Sequence, residues 1–506
     1  MRTDTANIDD SRAGRSGTRA GRKTMTDAVI DFPVQDARTG DRRLSQLLDA
    51  QRNAYLLHGP LSEERRAAAL DGLHQAVLKY QEALVEAVRQ DFGHRSAHET
   101  RLADIFSTLG AIRHARKHFR RWMKPQRRSI ALTFQPGRGR VLYQPLGVVG
   151  IISPWNYPIQ LGLTPLAAAV AAGNRVMLKP SEYTPATAAL LERVLAEVFE
   201  PVEVAVVQGG AEVAQAFSRL RFDHLLFTGS TPVGRHVMRA AAENLVPVTL
   251  ELGGKSPTIV AADYPLDKAA ESIAGGKLFN AGQTCIAPDY VLLPRGREEA
   301  FIAAYRAAVT RFYPRLDTNP DYTAIVNDRH YQRLTGLLED AKRRGARVET
   351  INPGNEVPDP ARRKLQPTLL TGVPDEAAVM REEIFGPILP LVPYDSLEQA
   401  YAYINDRPRP LALYLYSHDE GVVDRTLERT VSGGVTVNDT LLHVAQEELP
   451  FGGVGESGIG AYHGEAGFRT FSHAKSVFHQ SRLNGTGLMR PPYGAKMERL
   501  LKFLIR

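Results

Sequence analysis

From about residue 146 onward, short apolar runs alternate with longer segments in which apolar residues recur every three or four positions. The runs are typical of strands buried on both faces, and the longer segments are typical of helices. The predicted strands are 146–153, 175–179, 202–207, 224–228 and 247–252, and the predicted helices are 161–172, 185–199 and 231–243. Repeated strand–helix–strand units predict a doubly wound parallel sheet, whose ligands bind at the carboxyl ends of the strands.

The same alternation continues over residues 255–440 and predicts a second α/β domain. Its clearest strands are 256–261, 290–293, 388–392 and 411–416, and its clearest helices are 297–312 and 397–405. Residues 40–120 are predicted to be mostly helical. Residues 497–506 have a basic amphipathic pattern, which we predict to pack on the protein surface because ten residues are too few to span a bilayer.

Length and composition narrow the class of protein. The 506 residues suffice for two or three domains, and 43% hydrophobic with 24% charged residues exclude a disordered chain, a fibre and a coiled coil. Because no apolar run of about 18 residues and no signal-peptide core occur, we expect a cytoplasmic protein without a membrane span. A single cysteine excludes an internal disulfide and any cysteine-rich metal site.

The net charge of +7 comes from two segments. Residues 113–128 hold eight basic side chains and no acid, and without them the net charge is −1. Such a run could bind phosphate, but it is more often a solvated helix face, and we predict no nucleic-acid partner. The other segment lies within residues 1–40, which are predicted to be a disordered basic tail.

His114 and His118 stand at i and i+4 inside the basic segment, which is the spacing of a metal-binding pair on a helix. The basic residues among them, Arg116, Lys117 and Arg120, would repel a cation. We therefore predict that both histidines lie on the surface and that the protein has no metal site.

Three residues from separate segments are candidates for chemistry. A free cysteine such as Cys285 is more often a buried hydrophobic side chain than a nucleophile, and a nucleophile needs a lowered pKa or a neighbouring base. Glu251 follows a predicted strand and precedes two glycines, which suits either a carboxylate at a ligand crevice or a surface acid. Asn156 also follows a strand, where its amide could donate to an oxyanion or form an ordinary turn.

Seven motifs occur in the order and spacing found in the NAD(P)-dependent aldehyde dehydrogenases, and this resemblance covers about residues 45–490. They are Trp155-Asn156, Lys179-Pro-Ser-Glu182, Phe227-Thr-Gly-Ser230, Glu251-Leu-Gly-Gly-Lys-Ser-Pro257, Gly282-Gln-Thr-Cys285, Glu383-Ile-Phe-Gly-Pro387 and Pro450-Phe-Gly-Gly453. The segments 285–289 and 458–463 resemble the class 3 branch of that family. Within the branch, residues 91–96 and 114–128 are most similar to bacterial coniferyl aldehyde dehydrogenases.

The resemblance implies an aldehyde dehydrogenase-like α/β fold with a doubly wound parallel-sheet cofactor domain, a second α/β catalytic domain and a small oligomerisation arm. The implied divisions are a tail (1–40), N-terminal helices with the first part of the cofactor domain (41–124), an oligomerisation segment (125–144), the NAD(P)-binding domain (145–252), the catalytic domain (253–460) and a C-terminal arm and tail (461–506). Class 3 relatives are usually dimers, so we expect a homodimer with residues 468–478 near its interface.

The resemblance also assigns roles in a reaction. Cys285 would attack the aldehyde and form a thiohemiacetal, while Asn156 and the Cys285 N–H hold the oxyanion. Loss of hydride would leave a thioester, which water activated by Glu251 would hydrolyse to the acid. An acylating dehydrogenase generally lacks this glutamate, a cysteine hydrolase would need a histidine partner, and a phosphate-binding protein would need neither Cys285 nor Glu251.

The remaining implied residues bind cofactor and substrate. The cofactor-binding residues would be Trp155, Lys179, Glu182, Gly229, Ser230, Gly234, Glu383 and Phe385. Glu182 favours NAD by repelling a 2′-phosphate, although NADP stays open. Tyr157 and His443 are the candidate substrate residues for an aromatic, coniferyl aldehyde-like substrate, with a broad range or medium-chain aliphatic aldehydes as the alternative.

Overall fold

The computed structural model describes residues 37–505. Its α-helices are α1 (Ala37–His58), α2 (Glu63–Phe92), α3 (Ala97–Glu99), α4 (Ser107–Trp122), α5 (Gln160–Ala172), α6 (Pro185–Ala196), α7 (Ala211–Ser218), α8 (Thr231–Ala242), α9 (Leu266–Leu278), α10 (Glu298–Phe312), α11 (Asp328–Arg343), α12 (Ala378–Arg381), α13 (Leu397–Asn405), α14 (Glu420–Arg429), α15 (Gly464–Thr470) and α16 (Ala495–Leu504). The predicted disordered tail lies outside the described residues up to residue 36, whereas its last four residues belong to α1.

The strands form three sheets. They are β1 (Gln126–Arg128), β2 (Arg138–Pro145), β3 (Val148–Ile152), β4 (Arg175–Lys179), β5 (Val204–Val206), β6 (His224–Thr228), β7 (Val248–Glu251), β8 (Pro257–Val260), β9 (Tyr290–Pro294), β10 (Arg347–Thr350), β11 (Thr368–Thr371), β12 (Ile388–Tyr394), β13 (Ala412–Tyr416), β14 (Gly434–Val437), β15 (Gly458–Ile459) and β16 (Ser472–His479).

The first sheet has the order β15-β7-β6-β3-β4-β5. Its strands β3 to β7 pair in parallel, and each lies within two residues of a predicted strand, which confirms the doubly wound parallel sheet. Every residue of β3, β4 and β6 is buried, because helices cover both faces. The antiparallel edge strand β15 has only two residues and was not predicted.

The second sheet has the order β10-β11-β12-β9-β8-β13-β14 and confirms a second α/β unit. All of its pairs are parallel except β10 with β11. The predicted strands of this region correspond to β8, β9, β12 and β13. The strands β10, β11 and β14, with four residues each, were not predicted.

The third sheet is antiparallel, with β2 between β1 and β16. Exposed apolar side chains lie on β16 and on the helical turn Leu132–Phe134 between β1 and β2. Leu132 is 83% exposed, Phe134 is 40% exposed and Phe478 is 49% exposed. Phe134 and Phe478 meet edge to face, with ring centroids 6.5 Å apart.

The prediction that His114 and His118 lie on the surface is wrong. The side chain of His114 is only 14% exposed, and its ring lies 4.3 Å from that of His118. Both rings contact Trp122, which in turn packs against Phe468 of α15. Because these residues recur every four positions on α4, they share the stripe that packs against α15.

The prediction that the C-terminal helix packs on the protein surface is also wrong for the described residues. No residue of α16 is buried, and Phe503 and Ile505 are 77% and 78% exposed. The helix packs mainly against the short turn Thr486–Met489, and its apolar side chains Leu501, Phe503 and Leu504 are exposed. Among the helices of residues 37–505, none has the length and apolarity needed to cross a membrane.

Candidate active site

A crevice of about 850 Å³ opens where the carboxyl ends of the first sheet face loops of the second sheet. The register places Ile152 beside Phe227 and Thr228 beside Glu251, so that β3, β6 and β7 end at one edge. The predicted residues that line the crevice are Trp155, Asn156, Gly229, Ser230, Glu251, Cys285, Glu383 and Phe385. The tertiary structure thus brings together residues from five segments of the chain.

Cys285 follows a tight turn, Phe279–Gly282, at the end of α9. Asn280 and Ala281 have φ angles of 53° and 51°, and Gly282 has a φ of 76°. A Cβ at Gly282 would lie 2.4 Å from the carbonyl oxygen of Gly386, so glycine is required where the turn meets that segment. The turn leaves the Cys285 side chain partly exposed to the crevice.

A buried amide holds the Cys285 loop. The Gln283 side chain donates to the carbonyls of Asn280 and Ala324 at 3.0 Å each, and it accepts from the Val326 N–H at 2.9 Å. The Gln283 carbonyl accepts from Asn156 Nδ2 at 3.1 Å. The loop that carries the thiol is therefore tied to the predicted oxyanion residue.

The pKa of the Cys285 thiol is raised to about 12 by burial and by the charges of Glu383 and Glu251. The thiol is therefore neutral at physiological pH. Of the two routes to a nucleophilic cysteine, a lowered pKa and a neighbouring base, this environment requires the base.

Glu251 is the carboxylate that can act as this base. It is 2% exposed at the end of β7, and neither of its carboxylate oxygens has a hydrogen-bond partner among residues 37–505. Burial raises its pKa well above the usual value. A carboxylate with a raised pKa and unpartnered oxygens is suited to accept a proton.

An ion pair under the crevice was missed by sequence reasoning. Arg95 and Asp104 are both fully buried, with Arg95 Nη2 3.1 Å from Asp104 Oδ2. Arg95 also donates to the backbone carbonyl of Asn156, and Asp104 accepts from the N–H groups of Ile159 and Gln160. Arg95 lies in the segment 91–96, which resembled one branch of the family, but its partners are distant in sequence.

A second ion pair that the sequence did not predict supports the side of the crevice formed by the second sheet. Lys255 forms an ion pair with Asp289 and donates to the carbonyls of Val379 and Glu382 at 2.8 and 3.0 Å. Asp289 accepts from the Ile384 N–H at 2.9 Å. These contacts position the segment that carries Glu383.

The Glu383 carboxyl lies on the backbone of Gly253, where a Cβ would be 2.2 Å from Glu383 Oε2. Burial and the charge of Asp289 raise the pKa of Glu383 to about 8. Its Oε1 is buried without a hydrogen-bond partner in the described part of the chain, which fits an acceptor for a ribose hydroxyl. Nearby, the ring of Phe385 meets Trp155 edge to face at 5.4 Å.

The N-terminus of α8 reaches the crevice through Gly229 and Ser230. Ser230 is its N-cap but makes no side-chain capping bond, so the first N–H groups are available to an anion. A Cβ at Gly234 would lie 2.6 Å from Leu252 Cδ2, which explains how the helix packs so close to the end of β7. These features fit the pyrophosphate of a dinucleotide.

Five predicted residues do not line the crevice: Lys179, Glu182, Gly234, Tyr157 and His443. After β4, Lys179 Nζ lies 3.3 Å from Glu182 Oε2, and the Lys179 side chain is 1% exposed. Tyr157 is buried, with its hydroxyl against Thr284 Oγ1. His443 Nδ1 lies 2.8 Å from Thr436 Oγ1, and burial lowers its pKa to about 4.

A doubly wound sheet with a free helix N-terminus, facing a cysteine and an unpartnered glutamate, is typical of an enzyme that binds a nucleotide cofactor. Residues 34–477 match the aldehyde dehydrogenase family, and the chain belongs to that family.

Individual proteins that are similar to this chain support the same family assignment. The chain is 53% identical to a probable coniferyl aldehyde dehydrogenase of Pseudomonas aeruginosa, over 94% of this chain and 98% of that protein. Substrate-bound AldH of Staphylococcus aureus has a TM-score of 0.85 and 40% identity, covering 91% of this chain and 99% of that chain. An aldehyde dehydrogenase of Mycobacterium tuberculosis complexed with NAD+ has a TM-score of 0.78 and 30% identity, covering 88% of this chain and 91% of that chain.

Proposed function

We propose that this protein oxidises an aromatic aldehyde of the coniferyl aldehyde type to the carboxylic acid, with NAD+ as oxidant. The observation that carries the proposal is the partly exposed Cys285 thiol in one crevice with the unpartnered Glu251 carboxylate. The aromatic substrate is supported by the 53% identical relative, and NAD+ is supported by the solved relative that contains it.

The first step is addition of the thiol to the aldehyde. Glu251 accepts the thiol proton, which also removes the charge that helps to raise the pKa of Cys285. Sγ then bonds to the carbonyl carbon and gives a thiohemiacetal oxyanion. Asn156 Nδ2 and the Cys285 N–H donate to that oxygen.

NAD+, when bound, supplies the nicotinamide ring that accepts hydride. As the oxyanion collapses, hydride leaves the carbon and Cys285 carries a thioester. The free N–H groups of α8 would hold the pyrophosphate of the dinucleotide, and Glu383 Oε1 would accept a hydrogen bond from a ribose hydroxyl.

Hydrolysis completes the cycle. Glu251 passes its proton to solvent, takes a proton from water and directs the hydroxide at the thioester carbon. The acid departs, and the released thiolate is reprotonated.

The test is NADH formation by the purified chain. Coniferyl aldehyde should give the highest kcat/KM in a panel that includes benzylic and medium-chain aliphatic aldehydes, with NAD+ preferred over NADP+. Faster turnover of the aliphatic aldehydes would replace the proposed substrate class, and no NADH with any aldehyde would overturn the function.

We further propose a cytoplasmic homodimer with residues 145–252 as the cofactor-binding unit, residues 253–460 as the catalytic unit and the third sheet at the subunit interface. The exposed Phe478 on that sheet, with Leu132 and Phe134 on the turn that joins β1 to β2, supports the interface. Sedimentation equilibrium should give twice the chain mass, and Phe478→Asp should weaken the association. A monomer in the wild type would contradict this assembly.

A further inference from the structure

We propose that His114, His118 and Glu448 bind a divalent transition-metal ion, and that zinc fits these ligands best. A ring nitrogen of each histidine and a carboxylate oxygen of Glu448 all lie within 4.8 Å of one another. The site shares no residue with the crevice and does not depend on the proposed aldehyde oxidation.

The spacing of the ligand atoms suits tetrahedral coordination. Zinc binds imidazole nitrogen and carboxylate oxygen at about 2.0–2.2 Å, which puts two tetrahedral ligand atoms about 3.4 Å apart. His114 Nε2 lies 3.3 Å from Glu448 Oε1, and the ligand atom of His118 lies within 4.8 Å of both. Water would complete the coordination, as in other sites with three protein ligands.

Both histidines have a buried nitrogen without a hydrogen bond. His114 Nε2 and His118 Nδ1 lack a hydrogen-bond partner among residues 37–505, because the contact of His114 with Glu448 is not aligned as a hydrogen bond. Leaving such atoms unpaired is costly, and a metal ion gives each imidazole a partner. Glu448 is 65% exposed and opens the site to solvent, so an ion can enter.

The basic residues around the pair do not prevent binding. Arg116 pairs with Asp71 at 2.9 Å, and Arg120 pairs with Glu63 at 2.5 Å, so carboxylates on α2 offset both charges. Lys117 and Arg121 are exposed, where solvent and salt screen their repulsion. The Glu448 carboxylate supplies the negative charge at the site itself.

A metal ion here would join two parts of the fold. The histidines belong to α4, whereas Glu448 lies between the turn Leu442–Ala445, which carries His443, and Phe451. Binding should therefore stabilise the folded chain and restrain the segment that follows His443.

The test is a cobalt titration of the tag-free full-length chain carrying Cys285→Ala, which removes the thiol as a competing ligand. We expect one Co²⁺ per chain with visible d–d bands, and displacement of the cobalt by Zn²⁺. Glu448→Gln and His118→Asn should each weaken binding by at least about 10-fold, since even lost outer-shell partners cost that much. His236→Asn, at an exposed histidine of α8, is the matched control and should leave binding unchanged.

Thermal unfolding gives a second readout. Zn²⁺ at about 100 times its dissociation constant should raise the midpoint by about 2 °C in the Cys285→Ala chain and by less in its Glu448→Gln variant, which changes only an exposed side chain. Equal cobalt binding in Glu448→Gln and in the His236→Asn control would show adventitious binding and overturn the site. Absence of the d–d bands at saturating cobalt would overturn it as well.

Discussion

The two walls of the crevice are built in different ways. On the wall from the first sheet, Gly229 and Glu251 lie at or just after the ends of parallel strands, and strand register aligns them. Asn156 lies in the loop after β3, where Arg95 donates to its backbone carbonyl. On the wall from the second sheet, Cys285 and Glu383 lie on irregular loops, which buried side chains hold through long-range hydrogen bonds.

This difference predicts which side-chain substitutions each wall tolerates. Backbone pairing shared by several strands tolerates a change in a single side chain, whereas a loop held by a few buried polar groups depends on each of them. We therefore expect the second wall to depend on residues that never contact the substrate, and the part of the first wall formed by β6 and β7 to depend mainly on those that do.

The largest effect should come from removing the nucleophile on the second wall. Cys285→Ala should lower kcat at least about 10⁴-fold, since it removes the atom that forms the covalent intermediate. NADH formation measures the rate, and retained binding of NAD+ shows that the crevice is intact. Turnover near the wild-type rate would rule out Cys285 as the nucleophile.

Removing the base on the first wall should have the next largest effect. Glu251→Gln should lower kcat by about 10²–10⁴-fold, because the variant lacks the base for both steps. The thiol then loses its proton only to solvent, so the thioester forms in one slow burst of NADH per chain and hydrolyses more slowly still. In the wild type, kcat should rise with pH as Glu251 ionises above its usual range, and the variant should lose this limb. Stopped-flow absorbance measures both, and steady turnover without a burst would contradict the assignment.

The third prediction compares a buried ion pair that supports the second wall with an exposed ion pair outside the crevice. Asp289→Asn leaves Lys255 buried without its carboxylate, and breaking such a pair costs about 3–5 kcal/mol, so the thermal midpoint should fall and KM for NAD+ should rise. Asp395→Asn, in an exposed pair with Arg295, should cost at most about 1 kcal/mol and leave KM unchanged. Equal effects of the two substitutions would remove the contrast between the walls.

The smallest effect should be on cofactor choice at the first sheet. Glu182→Gln removes a charge that would repel the 2′-phosphate of NADP+. This repulsion is worth about 1 kcal/mol, so the ratio of kcat/KM for NAD+ to kcat/KM for NADP+ should fall about 5-fold. Glu398→Gln, an exposed glutamate of α13, should not change that ratio. An unchanged ratio in Glu182→Gln would place the discrimination elsewhere.

Much of the fold could be predicted because its strands are buried on both faces. All five strands of the parallel part of the first sheet were predicted within two residues, since a continuous apolar run is a strong local signal. The short strands β10, β11, β14 and β15 gave no such signal. The positions of His114, His118 and α16 were wrong because burial of a helix face depends on what packs against it.

The candidate site was also predicted only in part from the sequence. Eight of the predicted residues line one crevice, whereas Lys179, Glu182, Gly234, Tyr157 and His443 do not line it. Arg95, Asp104, Lys255 and Asp289 were not predicted as supports, because nothing local to a charged residue specifies a partner that is distant in sequence.

By itself, the sequence determined the parallel sheet, the family resemblance and the set of candidate catalytic groups, because these depend on local patterns and motif order. Only the tertiary structure decided that the Cys285 thiol is neutral, that the Glu251 carboxylate is unpartnered and that the two histidines of a basic helix face Glu448. Burial and the identity of each charge's nearest neighbour decide these properties, and both arise only when distant segments pack together.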